Sequence, residues 1–213
     1  KEHNLTIFHL MGQHVNYKQR YRTKQARFWA SSYEDKRPEL TNTQRKMLSH
    51  YDNATLYNDS IVAQIVKRFQ KQDAIVIYVP DHGEECYEEN RGFICRNHSA
   101  EIDWPLAHYE FEIPFWIYCS PKYIRNHRDI YRQIRKAKDK RFMTDALPHL
   151  LLYLAGIETP TYKEEYNILS PKYDEMRPRI LKNSADYDKL RDAHLEKIKK
   201  EESKKVKKKE RRN

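Results

Sequence analysis

Ala74–Glu85 reads AIVIYVPDHGEE, and the fold depends on how this stretch is read. Six apolar residues, Ala74 to Val79, run unbroken to Pro80. A short apolar run rich in β-branched residues and closed by proline predicts a strand buried on both faces. Asp81, His82 and Gly83 follow just past its carboxyl end, where ligands bind in open α/β sheets. A carboxylate beside an imidazole there suits one divalent cation, and Gly83 lets the backbone turn sharply. A simple turn cap would use the same residues.

Working upstream, Asn42–Gln72 has helical spacing, with Ala54, Ile61, Ile65 and Phe69 on one apolar stripe. Asn42 or Thr43 is the expected N-cap, and Lys67, Arg68 and Lys71 suit the C-terminal end of the helix dipole. Leu5–Met11, LTIFHLM, is a predicted strand, and it runs into Gly12, Gln13, His14, Val15 and Asn16. This is a second imidazole at the end of an apolar run. Tyr17–Arg37 lacks periodicity and reads as a surface loop. Strand, crossover, helix and strand together predict right-handed parallel pairing.

Downstream, Glu84–Glu112 is a long polar loop containing His98 and His108. Ile113–Cys119 predicts a second buried strand, and Pro121–Lys140 a polar helix. Thr144–Ala155 predicts an apolar helix, with Thr144 or Asp145 as N-cap, Pro148 in its first turn and Gly156 as its stop. Glu158–Arg179 is irregular. From Tyr187 the chain becomes one charged helix that runs out into KKVKKKERR. Two segments follow from this reading: 1–183 as one α/β unit and 184–213 as a charged helical or disordered tail.

The chain has 213 residues, enough for one sizeable domain. Its formal charge of +10 invites a nucleic-acid reading, but Glu196–Asn213 alone carries +6 of it. The remaining +4 is ordinary, and no aromatic-interleaved basic patch or zinc-finger spacing occurs, so nucleic acid is not an expected partner. No apolar run approaches the roughly 18 residues of a membrane span. Lys1–Asn4 leads straight into a predicted strand with no initiating Met or signal pattern, which reads as an excised piece. Cys86, Cys95 and Cys119 lack metal-ligand spacing. One Cys86–Cys95 disulfide and three free thiols are both compatible with the sequence.

The order HLMGQHVNYKQRY (9–21), YDNATLYNDSIVAQIV (51–66), YVPDHGEE (78–85), a loop histidine and PFWIY (114–118) resembles the sulfatase-like branch of the alkaline phosphatase superfamily. Within that branch it is most similar to the membrane-anchored phosphoethanolamine transferases. The resemblance covers Leu5 to Arg179. It implies part of an α/β/α sandwich with a mostly parallel sheet. It also implies zinc as cofactor, Asp81 and His82 as ligands, and His14 near the phosphoryl group or a second metal. His98 is implied as partner of His14, with His108 in reserve, because the loop is a few residues longer than the family pattern. Glu84 is a candidate partner for the His82 ring. Arg22 stands where the family has a proline after Arg-Tyr.

The resemblance places a threonine nucleophile, an acidic zinc ligand and transmembrane helices before Lys1. The chain is therefore expected to be a soluble C-terminal part, inactive alone. The parent would face the periplasm from the inner membrane, with a phospholipid donor and an envelope glycan or lipid A as acceptor. A sulfatase, another phosphohydrolase and a basic binding module are the alternative readings. A half-domain would leave a sheet edge for a dimer to cover.

Overall fold

The computed structural model describes residues 4–92, 94–96 and 101–210. The chain divides into two compact units. The first comprises Lys1–Val79, Cys86–Cys95 and Phe115–Arg135, and the second Pro80–Glu85, Arg96–Pro114 and Lys136–Asn213.

In the first unit, helix α1 spans Asn42–Phe69. Its N-cap is Thr41, one residue before the expected positions. The Thr41 side chain accepts from the Gln44 amide, and the Gln44 side chain accepts from the Thr41 amide at 2.8 Å, which makes a capping box. Strand β1 (Ile75–Tyr78) falls within the predicted apolar run, but its residues are only partly buried. It pairs antiparallel with β4 (Trp116–Cys119), Ile75 opposite Cys119 and Tyr78 opposite Trp116. The Tyr78 and Trp116 rings stack at 5.2 Å.

The parallel pairing expected through α1 is not formed. Its other member, Leu5–Met11, makes no ladder, and Leu5, Ile7 and Met11 are 76%, 80% and 59% exposed. A strand needs a neighbour's backbone, and an apolar pattern cannot supply one. The chain is α/β with little sheet. Among the described residues the remaining ladders are β2 (Glu85–Cys86) with β3 (Ile94–Cys95), and β5 (Ile180–Leu181) with β6 (Ala185–Asp186).

The predicted helix Pro121–Lys140 is two helices, α3 (Pro121–Asn126) and α4 (Arg128–Ala137), interrupted at His127. The backbone of His127 is not helical (φ −129°, ψ 51°), and its Nε2 lies 3.3 Å from Asp73. Ser120 caps α3 by accepting from the Tyr123 amide at 3.0 Å, and its hydroxyl donates to the Gln72 carbonyl. One buried serine thus joins the end of β4 to the turn before β1.

The second unit holds α2 (Trp104–Phe111) inside the segment expected to be loop. Asp103 caps it by accepting from the Leu106 amide at 3.0 Å, and Pro105 sits in its first turn. A 3-10 turn over Thr144–Ala146 leads into α5 (Leu147–Ala155). Gly156 ends α5 at φ 66°, as its sequence position predicts. Helix α6 runs from Tyr187 to Glu210. Its start packs on α2, with Ala107, Leu181 and Tyr187 buried together among Ile102, Trp104, Phe111 and Leu190. No disulfide joins Cys86, Cys95 or Cys119.

Candidate metal centre

Asp81, His82 and Gly83 follow β1 in the chain and lie against the end of α2. The Gly83 amide donates to the Glu110 carbonyl oxygen at 2.8 Å. A Cβ on Gly83 would stand 2.2 Å from the Tyr109 carbonyl oxygen. Close backbone approach therefore requires glycine here. The helix missed in the sequence is the element that seats the motif. Asp103 and Pro105, spaced as an N-cap and first-turn proline, were the signal for it.

Within the turn, Asp81 Oδ1 accepts from the His82 amide at 3.1 Å. His82 Nδ1 lies 2.7 Å from the Gly83 carbonyl oxygen. A carbonyl can only accept, so Nδ1 carries a proton in this contact, and in the neutral ring the lone pair is then on Nε2. Nε2 lies 3.6 Å from Asp81 Oδ2. Two atoms bearing lone pairs and facing each other at this distance are complementary to a cation. In a tetrahedral zinc site with ordinary bond lengths, two such ligands stand about 3.3 Å apart. The pair therefore fits zinc, and the Gly83 carbonyl orients the imidazole as outer acceptors do in metal sites. Among the described residues no three His, Cys, Asp or Glu side chains gather into a metal cluster. Asp81 and His82 offer two donor atoms.

The other expected residues fall as follows. Glu84 is half-buried, and the acceptor on His82 Nδ1 is the Gly83 carbonyl. Its neighbour Glu85 is 2% exposed. His98 lies outside the described residues. His108, on α2, stacks on Trp104 at 5.5 Å, and its Nδ1 is 2.9 Å from Glu112. Glu112 also accepts from the Tyr187 hydroxyl. Burial pushes the Glu112 carboxyl up, but the Tyr187 and His108 hydrogen bonds and nearby Arg179 outweigh it and hold the group low.

His14 belongs to the first unit and is exposed. Its loop turns at Gly12 (φ 47°), beside Asn58. Arg20 clamps the loop, with Nε donating to the His14 carbonyl at 3.0 Å and a terminal nitrogen to the Val15 carbonyl at 3.1 Å. This positioning arginine is the first residue of the Arg-Tyr pair in the motif.

The Tyr-Asp-Asn motif on α1 is structural. Tyr51 packs edge-on against buried Tyr17, ring centroids 5.3 Å apart, and Asp52 accepts from the Tyr33 hydroxyl. Asn53, 3% exposed, accepts from the Arg27 and Phe28 amides and donates to the Phe28 and Ser49 carbonyls. Tyr57 and Asp59 lie mid-helix, half-buried and exposed.

The sulfatase family profile matches residues 1–157. Over 174 residues the chain is 32% identical to phosphoethanolamine transferase EptC of Escherichia coli O18:K1:H7, a match covering 80% of this chain and 29% of that protein. It is 30% identical over 146 residues to the Kdo(2)-lipid A phosphoethanolamine 7''-transferase of Escherichia coli K12, covering 65% and 23%. The crystal structure of the C-terminal periplasmic domain of Escherichia coli EptC in complex with zinc superposes with a TM-score of 0.68 at 28% identity. That superposition covers 85% of this chain and 51% of the other. The chain thus spans under a third of the length of these curated relatives. It belongs to the sulfatase family and resembles the C-terminal part of the catalytic domain of its phosphoethanolamine transferases.

Proposed function

We propose that this chain is the part of a zinc-dependent phosphoethanolamine transferase that carries two of the metal ligands, Asp81 and His82. The observation that supports the reading is the 3.6 Å convergence of Asp81 Oδ2 and His82 Nε2, with the imidazole tautomer set by the Gly83 carbonyl. Zinc bound there would stabilise charge on a transferring phosphoryl group. His14 and His98 would steady phosphoryl oxygens or move protons, since imidazole titrates near neutrality. The nucleophile, a threonine, and the remaining acidic ligand come from residues before Lys1. The donor is a phospholipid and the acceptor an envelope glycan or lipid A, at the periplasmic face of the inner membrane. Two ligands bind zinc far more weakly than four, so the chain alone is inactive.

The test uses the full-length parent. Zinc content and transfer from phosphatidylethanolamine are measured for Asp81→Asn and His82→Gln. Loss of both zinc and transfer is expected. Variants that keep their zinc and turn over normally overturn the ligand assignment. Hydrolysis of a sulfate ester with no transfer overturns the reaction class.

A further inference from the structure

We propose that α6 is a docking arm for an anionic lipid surface, rooted in the second unit at one end and exposed from Leu195 to Lys205. The root is well built. Trp104 stacks on His108 at 5.5 Å and on His194 at 5.4 Å, with the Tyr187 ring 5.6 Å away. Asp188, in the first turn of α6, receives three guanidinium groups, those of Arg141, Arg179 and Arg191. These contacts aim the helix and stop at His194.

Beyond the root, every residue from Leu195 to Lys205 is exposed. A helix with no packed face rests on its own side-chain pairs, of which Glu196–Lys200 at 3.6 Å is one. Farther along, five of the six residues 204–209 are lysine. Lys204 and Lys208, and Lys205 and Lys209, stand four residues apart, the spacing at which like charges destabilise a helix. An anionic surface relieves that repulsion.

Two features favour a bilayer over a nucleic acid. Leu195 and Ile198, 45% and 38% exposed, lie three residues apart on one face of the helix, with Lys197, Lys199 and Lys200 as neighbours in the chain. No aromatic residue occurs from Leu195 to Asn213, so the arm has no platform on which bases could stack. The charge is also local, since Glu196–Asn213 holds +6 of the +10 total.

Vesicle flotation of this chain tests the proposal without requiring transferase activity. Binding is expected to phosphatidylglycerol-containing vesicles at low salt, with release at high salt and no binding to phosphatidylcholine alone. Each lysine held at such a surface strengthens partitioning roughly fivefold. Changing Lys204, Lys205, Lys207, Lys208 and Lys209 together to Gln therefore predicts a loss of more than about 100-fold, with thermal unfolding unchanged. A control changes Lys18, Lys24, Lys36, Lys67 and Lys122, all exposed and outside α6, to Gln and should keep its binding. Equal loss in the two variants, or tighter binding to an oligonucleotide than to the anionic vesicles, overturns the proposal.

Discussion

Asp81 Oδ2 stands 3.6 Å from His82 Nε2, so adjacent residues in one turn aim an oxygen and a nitrogen at the same point. Neighbouring side chains usually diverge. Here the His82 amide holds one oxygen of Asp81, and the Gly83 carbonyl holds the far ring nitrogen. The geometry belongs to the turn, and the turn belongs to α2.

Gly83→Ala should therefore damage the site without touching a ligand. The new Cβ would lie 2.2 Å from the Tyr109 carbonyl oxygen, backbone that cannot rotate away. Overpacking of this kind costs about 1–3 kcal/mol. Urea unfolding of the chain should show a lower midpoint, and the full-length variant should bind zinc more weakly. An unchanged midpoint would mean that the turn and α2 do not meet as described.

Asn53→Ala should unfold the first unit more easily than an ordinary helix substitution. It strands the Arg27 and Phe28 amides and leaves the Phe28 and Ser49 carbonyls one donor short. Stranding part-buried donors costs about 1–3 kcal/mol. Asn53→Asp keeps the acceptor oxygen but sets a carboxylate oxygen against the Phe28 and Ser49 carbonyls, so it too should lower the denaturant midpoint.

Stability should also fall as pH drops through the imidazole range, because of His50. Burial, with Lys18 and Lys46 nearby, lowers its pKa below the usual histidine value, and Tyr21 is hydrogen-bonded to its Nδ1 at 2.9 Å. A lowered folded pKa means that the unfolded chain binds the proton more readily. The stabilisation is thus fully present above about pH 6.5 and fades as pH falls through the lower folded value. The melting temperature of His50→Gln, followed from neutral to mildly acidic pH, should decline less steeply than that of the parent chain.

Asp188→Asn should loosen the root of α6. The Arg179 hydrogen bond, with Arg141 and Arg191 close by, holds the Asp188 carboxyl below its usual range despite some burial. Removing the charge leaves three guanidinium groups around a neutral amide, at a cost of about 1–2 kcal/mol after allowing for solvent at the half-exposed arginines. Limited trypsin digestion should cut after Arg191 faster than in the parent chain. In the parent chain, this stabilisation is present above the ordinary carboxylate pKa and is lost as pH falls through the lower folded value.

The local grammar of the chain was readable without coordinates. The apolar run before Pro80, the long stripe of α1, the Gly156 stop and the charged start of α6 each depend on residues within a few positions of one another. Nearest-neighbour physics suffices for these elements. The pairing of Asp81 with His82 was legible for the same reason.

Contacts between distant segments decided the rest. Leu5–Met11 has the composition of a strand but makes no ladder, while β1 pairs with β4 and antiparallel, in place of the parallel pairing expected with Leu5–Met11. The break at His127 lies at residues that also contact Asp73. Arg20 could not be recognised as the clamp of the His14 loop until its reach to two carbonyls was seen. Sequence by itself determined α1, the run of β1, the stop at Gly156 and the donor types of Asp81 and His82, because propensity and donor type travel with the residue. Only the tertiary structure decided strand direction, the need for Gly83 and the tautomer of His82, because each depends on which backbone atom arrives within about 3 Å.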